Sequence, residues 1–168
     1  MNLKGKNNVN LKDSFINLTQ GLLYTDEFKR IDDFIQHGRT SCFWHSVAVA
    51  YYSLHMINYF NIKCDARSLV RGALLHDYFL YDWHDGADWH NWHGFKHPNI
   101  AFNNAKRDFE INDIEKNIIK RHMFPLTITP PRYVESIVVC LIDKICSIYE
   151  TFKRKNTYVK LKAIFNLT

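Results

Sequence analysis

The run TSCFWHSVAVAYYSLHMIN, Thr40 to Asn58, decides the fold class. Phe43, Trp44, Val47, Val49, Tyr52, Leu54 and Met56 recur around a helical turn on nearly every side, the pattern of a helix buried at the centre of a domain. Thr40 or Ser41 stands where an N-cap belongs. No comparable stretch of the chain shows the strict alternation of a half-buried strand.

Working outward, the same period continues. Leu11, Phe15, Ile16, Leu18 and Leu22 predict a helix over 10–24. A short one over 26–36 is stopped by Gly38. Asp65 caps a helix with Leu69, Val70, Ala73, Leu74 and Leu75 on its apolar side. Pro98 fits the first turn of a helix running to about Phe109. Asn112 with Glu115 reads as a capping box for a helix ending near His122, before Pro125 and the Pro130-Pro131 pair. Residues 133–152 form a long amphipathic helix, and 153–168 a basic last helix or tail. The expected fold is all-α, with six to eight helices in a single domain over 1–168. Between Asp82 and Gly94 the helical pattern gives way to a polar-aromatic loop containing Trp83, His84, Trp89, His90, Trp92 and His93.

Composition narrows the function. The chain has 168 residues, 46% hydrophobic and 23% charged, which excludes disordered and low-complexity classes. No apolar run approaches the roughly 18 residues of a membrane span. Residues 1–20 hold five Asn and no apolar core of a signal peptide, so a cytoplasmic protein with no membrane partner is expected. Cys42, Cys64, Cys140 and Cys146 show no paired spacing and are expected to be reduced. The net charge of +5 suits a small anionic ligand, and nucleic acid is not expected as a partner. Lys153, Arg154, Lys155, Lys160 and Lys162 read as a solvated basic face.

Chemistry concentrates in histidine and aspartate. Eight of the nine His lie between His45 and His122. His76-Asp77 closes an apolar helix, where two adjacent side chains can converge on one cation. His45 sits on the buried central helix. Asp143 interrupts the apolar run Ile137 to Ile145, where an ionised carboxylate is costly unless paired or metal-bound. His97 lies at a helix start and His122 at a helix end. Imidazole with carboxylate suits divalent metals such as Mn, Fe, Co, Ni or Zn. His37 and His55 read as structural.

The order His…His-Asp…His…His…Asp, in the contexts RTSCFWHSVAVA (39–50), GALLHD (72–77), HPNIA (97–101), RHMFP (121–125) and LIDK (141–144), resembles the HD-domain superfamily of metal-dependent phosphohydrolases. The resemblance covers Arg39 to about Glu150. It implies a helical bundle around a buried metal site, with His45, His76, Asp77 and Asp143 about one metal. His97 and His122 would hold a second, with Asp77 bridging. The implied cofactors are two divalent ions (Mn, Fe, Ni, Co, Mg or Zn), and the implied reaction is attack of a metal-bound hydroxide on a phosphomonoester or phosphodiester. The expected substrate is a small phosphorylated anion such as a nucleotide. Asp77, Lys144 and Arg39 are the candidate catalytic residues, Arg39 and Lys144 as phosphate contacts, and the Trp83–Trp92 loop is a candidate lid. His-Asp is followed here by Tyr78-Phe79, not the Ile-Gly common in branches that cleave cyclic dinucleotides. Two alternatives stay open: a mixed-valent di-iron oxygenase on the same fold, and a nucleotide sensor without turnover. Oligomeric state is left open.

Overall fold

A computed structural model describes residues 3–83, 92–153 and 157–165, with side chains from Leu11 onward. The chain is all-α. Its helices are α1 (Leu3–Thr19), α2 (Asp26–Lys29), α3 (Cys42–Tyr59), α4 (Ala66–Leu75), α5 (His93–Asp108), α6 (Asp113–Arg121), α7 (Val134–Phe152) and α8 (Val159–Phe165). One small antiparallel hairpin, β1 (Ile35–His37) and β2 (Thr40–Ser41), accompanies them. None of the described helices is long and apolar enough to cross a membrane.

The central helix is α3, buried on most sides from Cys42 to Leu54 as its all-round apolar sequence requires. It packs against α4 and α7, and α6 packs on α4, α5 and α7. The expected caps are in place. Ser41 accepts a hydrogen bond from Trp44 N at 3.4 Å. Asp65 accepts from the backbone of Arg67 and Ser68, and Asn112 with Glu115 closes a reciprocal capping box.

The contact of α4 with α6 depends on Gly72. A Cβ there would stand 2.5 Å from Ile118 Cδ1 and 3.3 Å from Glu115 Cα. Nearby, Arg71 Nε donates to the buried Glu115 at 2.7 Å, tying the two helices together. Gly72→Ala is expected to force them apart at a cost of about 1–3 kcal/mol. Calorimetry should then show the melting temperature lowered by roughly 2–12 °C; an unchanged value would contradict so close an approach.

Three expectations are corrected. The first helix begins earlier and ends at Thr19, where Gln20 and Gly21 turn left-handed before the 3-10 turn Leu22–Tyr24. The segment 26–36 is not one helix: after α2 comes a 3-10 turn, Arg30–Asp33, and then β1. Buried Phe28 and Ile31, three apart, fit either helix type. Ser41 Oγ hydrogen-bonds Asp32, and Cys42 N donates to Phe34 O at 2.8 Å, which together pull the chain into the hairpin.

The third correction bears on the site. Helix α5 begins at His93, inside the predicted loop, and Pro98 lies within it. Phe95 N and Lys96 N both donate to Trp92 O, at 2.8 and 3.1 Å, and start the helix one turn before the proline. His93 and His97 thereby become an i, i+4 pair on one face, with rings stacked 4.5 Å apart. Residues 84–91, which include His84, Trp89 and His90, lie outside the described residues, as do Arg154 and Lys155 of the basic cluster. Lys153, Lys160 and Lys162 are exposed, as expected of a solvated face.

Candidate metal centre

Five helices deliver six side chains to one buried point. His45 comes from the first turns of α3, His97 from α5 and Asp143 from the middle of α7. His76 and His122 are the C-cap residues of α4 and α6. All six side chains are almost wholly buried.

The two C-cap histidines use the same local device. A helix end leaves carbonyls without partners. His76 Nδ1 turns back to Ala73 O at 2.6 Å, and His122 Nδ1 to Ile119 O at 2.8 Å. His97 Nδ1 does the same with His93 O at 2.9 Å. A carbonyl only accepts, so each Nδ1 carries a hydrogen and each Nε2 is the ring atom turned to the centre as a ligand.

Asp77 stands between two groups. Its Oδ2 lies 3.3 Å from His76 Nε2 and 3.6 Å from His45 Nε2. Its Oδ1 lies 3.2 Å from His97 Nε2 and 3.4 Å from His122 Nε2. Asp143 Oδ1 closes the first group, at 3.1 Å from His45 Nε2 and 3.6 Å from His76 Nε2. The ligand atoms of His45, His76 and Asp143 all lie within 4.8 Å of one another, as do those of Asp77, His97 and His122.

This donor set fits cations. His97 Nε2 and His122 Nε2 are 2.7 Å apart with their lone pairs facing, a repulsive contact unless something positive is shared between them. His76 Nε2 and Asp77 Oδ1 are buried and make no hydrogen bond. Orphaned buried polar atoms are costly in a finished core and useful in a ligand shell. The electrostatics agree. Burial alone would raise Asp77, but His76 and His97 hold its carboxyl well below the usual range. Burial would likewise raise Asp143, which His45 and His76 hold well down. Burial would lower His76, but Asp77 and Asp143 push it up to about 9. His122 is lowered to about 3, chiefly by burial. The centre thus keeps its carboxylates ionised and sets imidazoles against them, the combination that borderline divalent metals take.

Three residues at the centre were not singled out from sequence. Glu150, fully buried on α7, accepts from His45 Nδ1 at 2.9 and 3.0 Å and from Tyr158 OH at 2.6 Å. His45 alone among the four has a carboxylate behind it where the others have a carbonyl. Glu150 lies seven residues, or two turns, beyond Asp143 on the same buried face, and that spacing was the signal available. Gln36, buried in β1, donates from Nε2 to Asp77 Oδ2. His37, expected to be merely structural, lies with its ring 5.6 Å from His45 and lines the cavity below. Neither had a readable signal, because the hairpin that brings them in was expected to be helix. His55, by contrast, is exposed and stacks on Tyr59.

A cavity of about 710 Å³ opens onto Asp77 and Asp143. His97 and His122 line it, with Trp83, His93, Lys144 and Met123. Trp83 stacks on His93 at 4.9 Å, which continues the stack onto His97. Lys144 is at the cavity wall, but its Nζ donates to His122 O at 2.8 Å and Cys140 O at 3.2 Å. Arg39 is exposed in the hairpin turn and does not line the cavity.

A model of the HD domain family matches residues 43–148, a span holding all six of these side chains. The chain belongs to the HD domain family. That family is in general one of metal-dependent phosphohydrolases. No curated protein and no solved structure matches the chain. Gln36, His37, Arg39 and Glu150 fall outside the matched span, so the support around this HD centre comes partly from beyond the matched family region.

Glu150 gives the HD centre a testable asymmetry. A carboxylate on Nδ1 raises the basicity of the ligand nitrogen across the ring. Glu150→Gln keeps the shape and removes the charge. Titration calorimetry with Mn²⁺ is expected to show affinity at one of two sites weakened about 10- to 100-fold. Equal affinities would mean that Glu150 only fills space.

Proposed function

We propose that this HD domain is a phosphohydrolase of the six-ligand kind, cleaving a phosphomonoester or phosphodiester of a nucleotide-sized substrate. The observation that carries the reading is the position of Asp77, one oxygen toward His45 and His76 and the other toward His97 and His122. His45, His76 and Asp143 would hold one ion and His97 and His122 a second, with Asp77 able to serve both. When bound, such a pair supplies an acidified water and neutralises charge building on phosphoryl oxygens.

The protein's own residues do the rest. The three carbonyls and Glu150 fix the imidazole tautomers, so the ligand nitrogens need no rearrangement. Gln36 holds Asp77 by donating to its Oδ2. Lys144 holds His122 through its carbonyl and brings positive charge to the wall where an anionic substrate enters. The Trp83–His93–His97 stack offers an aromatic edge against which a base can lie. A cavity of about 710 Å³ suits a nucleotide.

Phosphate release from a panel of nucleotides and p-nitrophenyl esters, with Mn²⁺ and without oxygen, tests the reading. Release under those conditions supports hydrolysis; turnover that requires O₂ replaces it with the di-iron oxygenase reading. Lys144→Ala is expected to lower kcat/KM by about 10- to 100-fold, partly through KM, because both substrate attraction and the seat of His122 are lost. Wild-type kinetics in this variant would remove Lys144 from the site.

A further inference from the structure

Helix α7 carries Asp143 and Glu150 on its buried side, and its other side is unusual. Val134, Ile137, Leu141, Ile145, Ile148 and Phe152 follow one another at helical spacing, and all are exposed. Ile137 is 55% exposed, Ile145 53%, Ile148 59% and Phe152 83%. A surface helix ordinarily places charged residues there. The stripe runs the length of the helix without a charge: Glu135 and Glu150 are buried and Lys144 is tied to backbone carbonyls.

Beside the stripe lies a groove. Tyr52, Met56, Tyr59 and Phe60, from α3 and its end, face Leu141, Ile145 and Tyr149 across an apolar channel of about 660 Å³. Tyr59 is 75% exposed and Phe60 64%. With side chains of roughly 150–200 Å² each, the fractions of these six residues amount to roughly 600–800 Å² of apolar surface, above the ~300–600 Å² patch of an ordinary monomer. A standard interface needs about 800 Å² from each partner.

We propose that this face is a two-fold interface between two copies of the chain. The area matches what one side of a stable dimer supplies. A two-fold interface must be self-complementary, and the face provides both halves: the α7 ridge and, next to it, the channel between α3 and α7 into which the partner's ridge seats. No Lys, Arg, Asp or Glu lines the channel, so two copies of a chain of net charge +5 meet there without opposed charges, the Lys153 ammonium lying at its edge over the Tyr149 ring. A membrane surface fits less well, because an interfacial helix has a cationic polar face, and the opposite face of α7 is buried around Asp143. Pairing clamps the helix that carries Asp143 and Glu150, leaving the cavity at Asp77, which shares no lining residue with the channel, free for substrate.

Sedimentation equilibrium of the full chain at 1–50 µM tests this. The expected mass is twice the 20.0 kDa of one chain. I145E/I148E is expected to raise the dissociation constant at least 100-fold, while circular dichroism and Mn²⁺ binding report an intact fold. Ile145→Ala provides a milder variant, expected to raise it by a smaller factor. A monomer across this range overturns the proposal, as does a dimer that both variants leave unchanged. Flotation of monomer with anionic phosphatidylserine vesicles likewise overturns it, in favour of a membrane surface.

Discussion

Asp77→Asn is expected to lower anaerobic phosphate release by at least about 10³-fold, or roughly 4 kcal/mol at 1.36 kcal/mol per tenfold. Asparagine fills the same space but has one oxygen where Asp77 has two. The amide nitrogen must face either His97 and His122 or His45 and His76, presenting hydrogens where a cation held by those groups needs an oxygen ligand. Whichever way it turns, one of the two ligand groups loses its anion and the other keeps only a neutral oxygen. The loss should therefore appear in metal content as well as in rate, and plasma emission spectrometry of the purified variant should find at most one ion per chain. Full metal content with near-normal phosphate release would place the chemistry elsewhere.

Removing metal should cost stability as well as activity. A ligand that binds only the folded state at 100 to 1,000 times its dissociation constant adds about 2.7–4.1 kcal/mol. For a chain of this size each kcal/mol moves the melting temperature by about 2–4 °C. Treatment with EDTA is thus expected to lower it by roughly 5–16 °C and to abolish turnover, both returning when Mn²⁺ is restored. The helices should survive, because the core around α3 is apolar and independent of the centre. The contact between His97 Nε2 and His122 Nε2 at 2.7 Å and the unpartnered His76 Nε2 and Asp77 Oδ1 are what bound cations would relieve. A melting temperature unmoved by chelation would mean that no ion is part of the folded structure.

What could be read from the sequence followed from the strength of each local signal. The apolar period of Thr40 to Asn58, the caps at Ser41 and Asp65 and the Asn112–Glu115 box each have a local cause, and each stands where expected. The six His and Asp side chains were legible because a carboxylate at Asp143 inside an apolar run has few other uses. Hidden residues had causes at a distance. Gln36 and His37 reach the centre through a hairpin whose tight turn at Gly38, with φ of 61°, lies against the end of α7. Glu150 takes its role from His45, more than a hundred residues earlier. The early start of α5 depends on Trp92 O accepting two backbone hydrogen bonds ahead of Pro98, which hydrophobic periodicity does not register. Arg39, six residues before His45 and expected to contact phosphate, is carried to the surface by the hairpin turn.

Crystals grown with Mn²⁺ and measured at the manganese absorption edge test directly whether Asp77 joins two metal sites. Two anomalous peaks per chain are expected, one against His45, His76 and Asp143 and one against His97 and His122, with Asp77 touching both. A single peak with Mn²⁺ in excess, or peaks away from Asp77, would contradict that expectation.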